Sequence, residues 1–140
     1  LTKNTDIRRY HDEIYIVSKN HISQKKYEIF WHGESEILLP NGSKLNFKEV
    51  KGRGISLDFL KGKKLKISNR EGGELFKPDS KRPTKKVKQL LQESDLPPWE
   101  RESLPLIFLD KDLVCVPQFG VESRYQTPPF KMGLEVTWSL

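Results

Sequence analysis

Short alternating runs of apolar and polar residues fill the first half of the chain. In DEIYIVSK, Ile14 and Ile16 fall on one side, with Tyr15 and Val17 on the other. In YEIFWHGE, Tyr27, Ile29 and Trp31 alternate with Glu28, Phe30 and His32. A period of two places i and i+2 on one face of an extended chain, so both runs predict strands. EILLPNGSKLNF predicts a hairpin, with Ile37 to Leu39, a turn at Pro40-Asn41-Gly42, and Leu45 and Phe47 on the return. GISLDFL reads as a strand with Ile55, Leu57 and Phe59 on one face, and KKLKIS as a strand carrying Leu65 and Ile67. Glycine-containing breaks at Gly33, Gly42, Gly52 to Gly54, and Gly62 separate the runs.

The period changes once. KKVKQLLQES spaces Val87, Leu90 and Leu91 at i, i+3 and i+4, a narrow helical stripe. Thr84 is the expected N-cap, and Pro97 and Pro98 should stop the helix near Ser94. Pro98 suits the first position of one further turn through Trp99, Glu100 and Arg101. LPLIFLD and LVCVPQF follow as strands around Asp110-Lys111-Asp112. LEVTWS makes a last strand with Leu134, Val136 and Trp138 on one face. The expected class is α+β, mostly antiparallel strand, with one principal helix.

The chain has 140 residues, enough for one medium domain or two small ones sharing a core. No window approaches the roughly 18 apolar residues of a transmembrane helix. No charged start leads into an apolar stretch and a cleavage site. The single cysteine, Cys115, excludes an internal disulfide framework. It suits a reducing compartment, so a cytoplasmic location is expected, and in LVCVP it reads as a small buried hydrophobe. Because the sequence begins at Leu1 rather than methionine, it is expected to be a piece of a longer protein.

Charge changes the picture more than composition does. The net charge is +6, but from Lys44 to Lys88 there are 15 Lys or Arg against five Asp or Glu, a local +10. Residues 1–43 balance at six against six, and residues 89–140 carry four against eight. Concentrated positive charge suits a polyanion, nucleic acid above all, since each neutralised phosphate releases condensed counterions. Lys77, Lys81 and Arg82 lie in the loop feeding the expected helix, and Lys85, Lys86 and Lys88 lie in its first turns. A phosphate docked at that N-terminus would offset their repulsion with the helix dipole. The alternative is a solvated lysine-rich face.

Catalytic constellations are thin. His11, His21 and His32 lack metal-site spacing, and neither a nucleophile elbow nor a phosphate-binding loop of the Gly-x-x-x-x-Gly-Lys type occurs. Glu71 and Glu74 flank Gly72 and Gly73, as an acid/base pair or as solvated turn residues. The glycines themselves permit a tight turn, with a phosphate cradle as the other reading. Trp99 is expected to anchor on the helix, and Arg101 to pair with Glu93 or Glu102 or to reach a phosphate.

The stretch from Asn69 to Val121 resembles the C-terminal domain of tRNA(Ile)-lysidine synthetase. The matching positions are Gly72, Gly73, Glu74, Phe76, Pro78, Lys85, Lys86, Lys88, Pro97, Pro98, Trp99, Arg101 and Pro105. Many relatives would carry arginine at Leu75 and Lys77. A lysine keeps the charge without the bidentate fork, and Leu75 keeps neither. The resemblance implies a small α+β sandwich, also found in the phenylalanyl-tRNA synthetase β-subunit. It divides the chain into a β-rich segment 1–64, packing on or leading into the rest, and a tRNA-binding domain 65–140. The parent enzyme would use ATP to activate C2 of the wobble cytidine of an isoleucine tRNA, and lysine would then attack. That chemistry, with its ATP and Mg, would belong to an N-terminal domain bearing a Ser-Gly-Gly-x-Asp-Ser loop, which this sequence lacks. No catalytic, cofactor or metal residue is therefore expected here. The expected tRNA contacts are Arg70, Lys77, Lys81, Arg82, Lys85, Lys86 and Lys88. The expected partners are tRNA on its acceptor-stem side and the N-terminal catalytic domain, with no membrane and with a homodimer left open. The rival reading is a docking domain whose basic face binds an acidic protein surface or a partner subunit.

Overall fold

The computed structural model describes residues 5–10, 13–18 and 26–140. Strands β1 (Thr5–Tyr10) and β2 (Glu13–Ser18) form an antiparallel ladder of their own, with Ile7 opposite Ile16. The side-chain faces expected for Ile14 to Val17, and the settings of His11 and His21, lie outside the described residues.

The remaining strands are β3 (Glu28–Trp31), β4 (Glu36–Leu38), β5 (Lys44–Lys51), β6 (Ile55–Ser56), β7 (Leu65–Asn69), β8 (Leu75–Phe76), β9 (Lys85–Lys86), β10 (Pro105–Leu109), β11 (Asp112–Val116), β12 (Gly120–Val121) and β13 (Met132–Ser139). Two helices, α1 (Val87–Gln92) and α2 (Pro98–Ser103), lie between β9 and β10. One sheet runs β12-β11-β10-β7-β3, the other β4-β5-β13-β6, and β8 pairs with β9 alone. All pairings are antiparallel. The result is an α+β fold dominated by antiparallel strand, as the periodicity predicts. Strands from residues 26–64 share both sheets with strands from 65–140, so the two stretches build one core.

Alternation decides which side chains enter that core. Ile29, Ile67 and Ile107 stand opposite one another across β3, β7 and β10, and Ile67 and Ile107 are fully buried. The second sheet contributes Ile37, Leu45, Phe47, Leu134, Val136 and Trp138. Trp31 stacks on Phe47 at 5.4 Å and so joins the two sheets. Each fully buried Leu or Ile contributes about 1.5–3 kcal/mol over its exposed state, so this interior carries the fold. On the other face of the five-stranded sheet Leu106 is buried in the same apolar cluster as Phe76, Val87, Leu91 and Leu104. The β8–β9 ladder and α1 thus contribute Phe76, Val87 and Leu91 to the core, while Lys66 and Phe108 on that face line an open groove.

A second tight point lies where β6 enters. Gly54 has φ +82°, and a Cβ there would meet the Leu134 carbonyl oxygen at 2.4 Å. A Cβ on Gly133 would stand 2.0 Å from the Arg53 carbonyl oxygen and 2.1 Å from Thr127 Oγ1. Thr127 donates through both its backbone N–H and Oγ1 to the Gly54 carbonyl, at 3.2 and 2.9 Å. Only glycine allows the chains this approach.

Two expectations fail locally. Ile55 is buried in a strand, but Leu57–Leu60 turns into a 3-10 helix, and Phe59 is 44% exposed against the edge of Tyr125. The cause is pairing: β6 pairs with β13 at Gly133 and Leu134 and bridges Gln126 at Ile55, and beyond Ser56 no strand continues the ladder. Thr84 does not cap the helix. Lys85 and Lys86 are taken into pairing with Phe76 and Leu75, so α1 begins at Val87, whose N–H donates to the Glu74 carbonyl at 2.9 Å. At the other end Ser94 closes the helix, its N–H and Oγ donating to the Leu91 carbonyl at 3.2 and 2.6 Å. Among the described residues no helix is long and apolar enough to cross a membrane.

Candidate nucleic-acid interface

The basic segment is held by a short loop and a two-residue ladder. Gly72 and Gly73 take φ +110° and +80°, a left-handed turn that glycine adopts without strain. The Glu74 carboxylate closes this turn by accepting from the N–H groups of Glu71 at 2.7 Å and Gly72 at 3.1 Å. Two of the amides that a phosphate cradle would use, those of Glu71 and Gly72, are therefore already bound. Glu71 pairs instead with Lys26 at 3.6 Å, so the two carboxylates do separate structural work rather than forming an acid/base couple.

Opposite residues of an antiparallel pair share a face. Phe76 is buried with Lys85 half-buried beside it, whereas Leu75, 58% exposed, shares the outer face with Lys86. In α1, Val87 and Leu91 are buried while Lys88, Gln89 and Gln92 are exposed, as the helical spacing predicts. Because α1 has six residues and its first amide is bonded to Glu74, the expected phosphate site at its N-terminus is not formed.

The seven expected contact residues separate into two groups. Lys81, Lys86 and Lys88 are exposed and, among the described residues, make no ion pair; Lys77 is half-buried and likewise unpaired. The others are engaged or withdrawn. Arg82 lies 3.6 Å from Asp79, and Lys85 donates to Glu93 at 3.2 Å. Arg70 is half-buried, and its Nε is shielded with no hydrogen-bond partner among the described residues. Arg101 pairs with neither Glu93 nor Glu102: its Nε donates to the Leu96 carbonyl at 2.7 Å and closes the link between α1 and α2. Trp99 is half-buried and is not in the buried core, to which Leu104 belongs and against which half-buried Leu96 packs.

Beside this segment lies an open groove of about 1030 Å³. Its lining includes Lys26, Lys66, Lys77, Lys111 and Arg124 together with Glu28, Glu71, Glu74, Asp110, Asp112 and Glu122, so its charges nearly cancel. Most of its acids already have partners. Glu28 lies 3.7 Å from Lys66, Asp110 accepts from Lys63 at 3.0 Å, and Asp112 accepts from the Tyr125 hydroxyl. That hydroxyl's pKa is raised chiefly by its bond to Asp112. Glu122 is buried, accepts from the Arg124 N–H at 2.8 Å, and raises the Arg124 pKa by its charge. At the groove's end burial pushes the Tyr27 hydroxyl up to about 12. Of the expected contacts, only Lys77 lines this groove.

Sequence reasoning passed over Lys66, Phe108 and Arg124 because each is unremarked in its own strand or loop. One signal was available: Phe30 occupies an outward position in a strand whose other face is already apolar.

Residues 65–138 match the family model of the TilS substrate C-terminal domain. A tRNA(Ile)-lysidine synthase of Nitrosomonas europaea is 33% identical over 139 residues, covering 99% of this chain and 30% of that protein. One of Xanthomonas campestris pv. campestris is 33% identical over 113 residues, covering 81% of this chain and 25% of that protein. The chain thus spans less than a third of the length of these curated relatives. A solved structure, described as the crystal structure of the TILS C-terminal domain, superposes with a TM-score of 0.64 at 18% identity. It covers 82% of this chain and 97% of that one, and shows the fold. The family model spans more than half of the 140 residues, from the start of β7 into β13, and the chain belongs to the TilS substrate C-terminal domain family.

Proposed function

We propose that this chain is the tRNA-gripping C-terminal part of a tRNA(Ile)-lysidine synthase. In this reading, ATP-dependent ligation of lysine to C2 of the wobble cytidine takes place in a preceding N-terminal domain of the parent protein, in the cytoplasm. The ATP and Mg that the reaction uses would be held there. The present chain would hold the acceptor-stem side of the isoleucine tRNA and so fix the anticodon at the distant reacting centre.

The observation that carries the reading is the lysine edge in and just before β9 and α1: Lys81, Lys86 and Lys88 are exposed and make no ion pair among the described residues, within a segment of local charge +10. Cations left without carboxylate partners bind a phosphate backbone without first breaking an ion pair. An A-form stem offers phosphates and 2′-hydroxyls along a shallow minor groove, so a row of lysines can track it without reading bases. Binding energy from such remote contacts orients the reacting atoms elsewhere in the complex.

The test is tRNA binding by the full-length protein at low salt. Lys86→Glu with Lys88→Glu should weaken the complex by at least about tenfold while the thermal midpoint moves little. Unchanged affinity would overturn the reading. No measurable tRNA binding by the unaltered full-length protein at low salt, alongside binding to an acidic protein, would favour a docking domain instead.

A further inference from the structure

The open half of the five-stranded sheet carries a row of side chains that the lysine edge does not use. Phe30 on β3 stands opposite Lys66 on β7, and Lys66 stands opposite Phe108 on β10. Such partners share a face about 5 Å apart, so the three side chains form an aromatic–cation–aromatic row across adjacent strands. Phe30 is 45% exposed on the edge strand, and the Lys66 ammonium lies 5.2 Å from the centre of the Phe108 ring. Lys66 and Phe108 also line the groove.

We propose that this row is a stacking platform for unpaired nucleotides of a single-stranded RNA, and the proposal rests on the reading of the chain as an RNA-binding module. One base lies on Phe30 and its neighbour against Phe108, while Lys66 between them turns from Glu28 toward a phosphate or a base carbonyl. Three features favour this occupant. Every base has a π-face, so exposed aromatic rings on a sheet accept bases without demanding a sequence. The groove's balanced charge gives no continuous rail for a duplex backbone, but its carboxylates suit the exocyclic amines of bases, which donate hydrogen bonds. An apolar peptide is a poorer match, because covering this row would take the Lys66–Glu28 ion pair out of water.

The experiment uses the full-length protein with two probes, a short single-stranded RNA carrying 2-aminopurine and a blunt RNA duplex. Phe30→Ala should weaken single-strand binding about 5- to 100-fold, the worth of one base–aromatic stack, and leave duplex affinity within about twofold. Phe30→Tyr should restore both the affinity and the quenching of 2-aminopurine. Lys86→Ala with Lys88→Ala should weaken both probes. Wild-type single-strand affinity in Phe30→Ala, with duplex binding still sensitive to Lys86 and Lys88, overturns the platform and leaves the lysine edge standing. No binding of either probe at low salt removes both.

Discussion

The crossing at Gly54, Gly133 and Thr127 and the edge that carries Lys81, Lys86 and Lys88 answer to opposite demands. At the crossing a single added methyl group at Gly133 would land within 2.1 Å of two atoms. Along the lysine edge the charged groups make no ion pair among the described residues. The contrast separates residues that hold the fold from those proposed for binding, and the two sets lie around different elements, β6 and β13 against β9 and α1. Substitutions at the crossing should therefore unfold the protein whatever it binds, and substitutions along the edge should alter binding in a protein that stays folded.

The largest effect is expected from Gly133→Ala. The added Cβ meets a backbone oxygen that no rotamer change can move, so the loss should be about 4 kcal/mol or more, read from urea unfolding. Leu91→Ala comes next. It removes a fully buried side chain under the lysine edge and should cost about 2–5 kcal/mol. A loss below about 1 kcal/mol would mean that α1 is not packed on the sheet.

Alkaline pH probes the interior without mutation. Burial pushes the Cys115 thiol and the Tyr27 hydroxyl each up to about 12. Both groups hold their protons longer in the folded state than in the unfolded one, so folding is favoured less as pH rises. Their contribution is intact below about pH 9 and falls away toward pH 12. Cys115→Val should reduce the lower part of this decline, and a thiol reagent should fail to label native Cys115 at neutral pH.

Glu74→Ala tests the turn between β7 and β8. Two amide bonds are lost at an exposed turn, so the cost should be about 1 kcal/mol. The smallest effect on stability is expected from Lys86→Ala with Lys88→Ala, within about 0.5 kcal/mol.

Much of this division was legible in the sequence, and the places where it was not share a cause. Period-two alternation located β3, β5, β7 and β13, because there one face is more buried than the other, whereas β10 and β11, buried on both faces, were read as apolar runs around Asp110-Lys111-Asp112. The burial of Cys115 was visible from its apolar run, and the helical stripe of Val87 and Leu91 from its spacing. Leu57 and Phe59 misled because a strand also needs a partner, and β6 runs out of one after two residues. Thr84 misled because Lys85 and Lys86 pair with β8, a contact that local capping preferences cannot show. The basic character of the interface was plain in the charge count, but which cations stay unpaired was not. The pairs Lys85–Glu93 and Arg82–Asp79 depend on where the loop and helix settle. The Phe30, Lys66 and Phe108 row was hidden for a related reason, since three strands distant in sequence must align before it exists.

The salt dependence of tRNA binding by the full-length protein tests the central claim most directly. With Lys81, Lys86 and Lys88 all changed to Ala, the slope of log affinity against log salt should flatten by about 2 to 3, roughly 0.7–0.9 for each lost phosphate contact, with the thermal midpoint nearly unchanged. An unaltered slope in that folded triple variant would contradict the account.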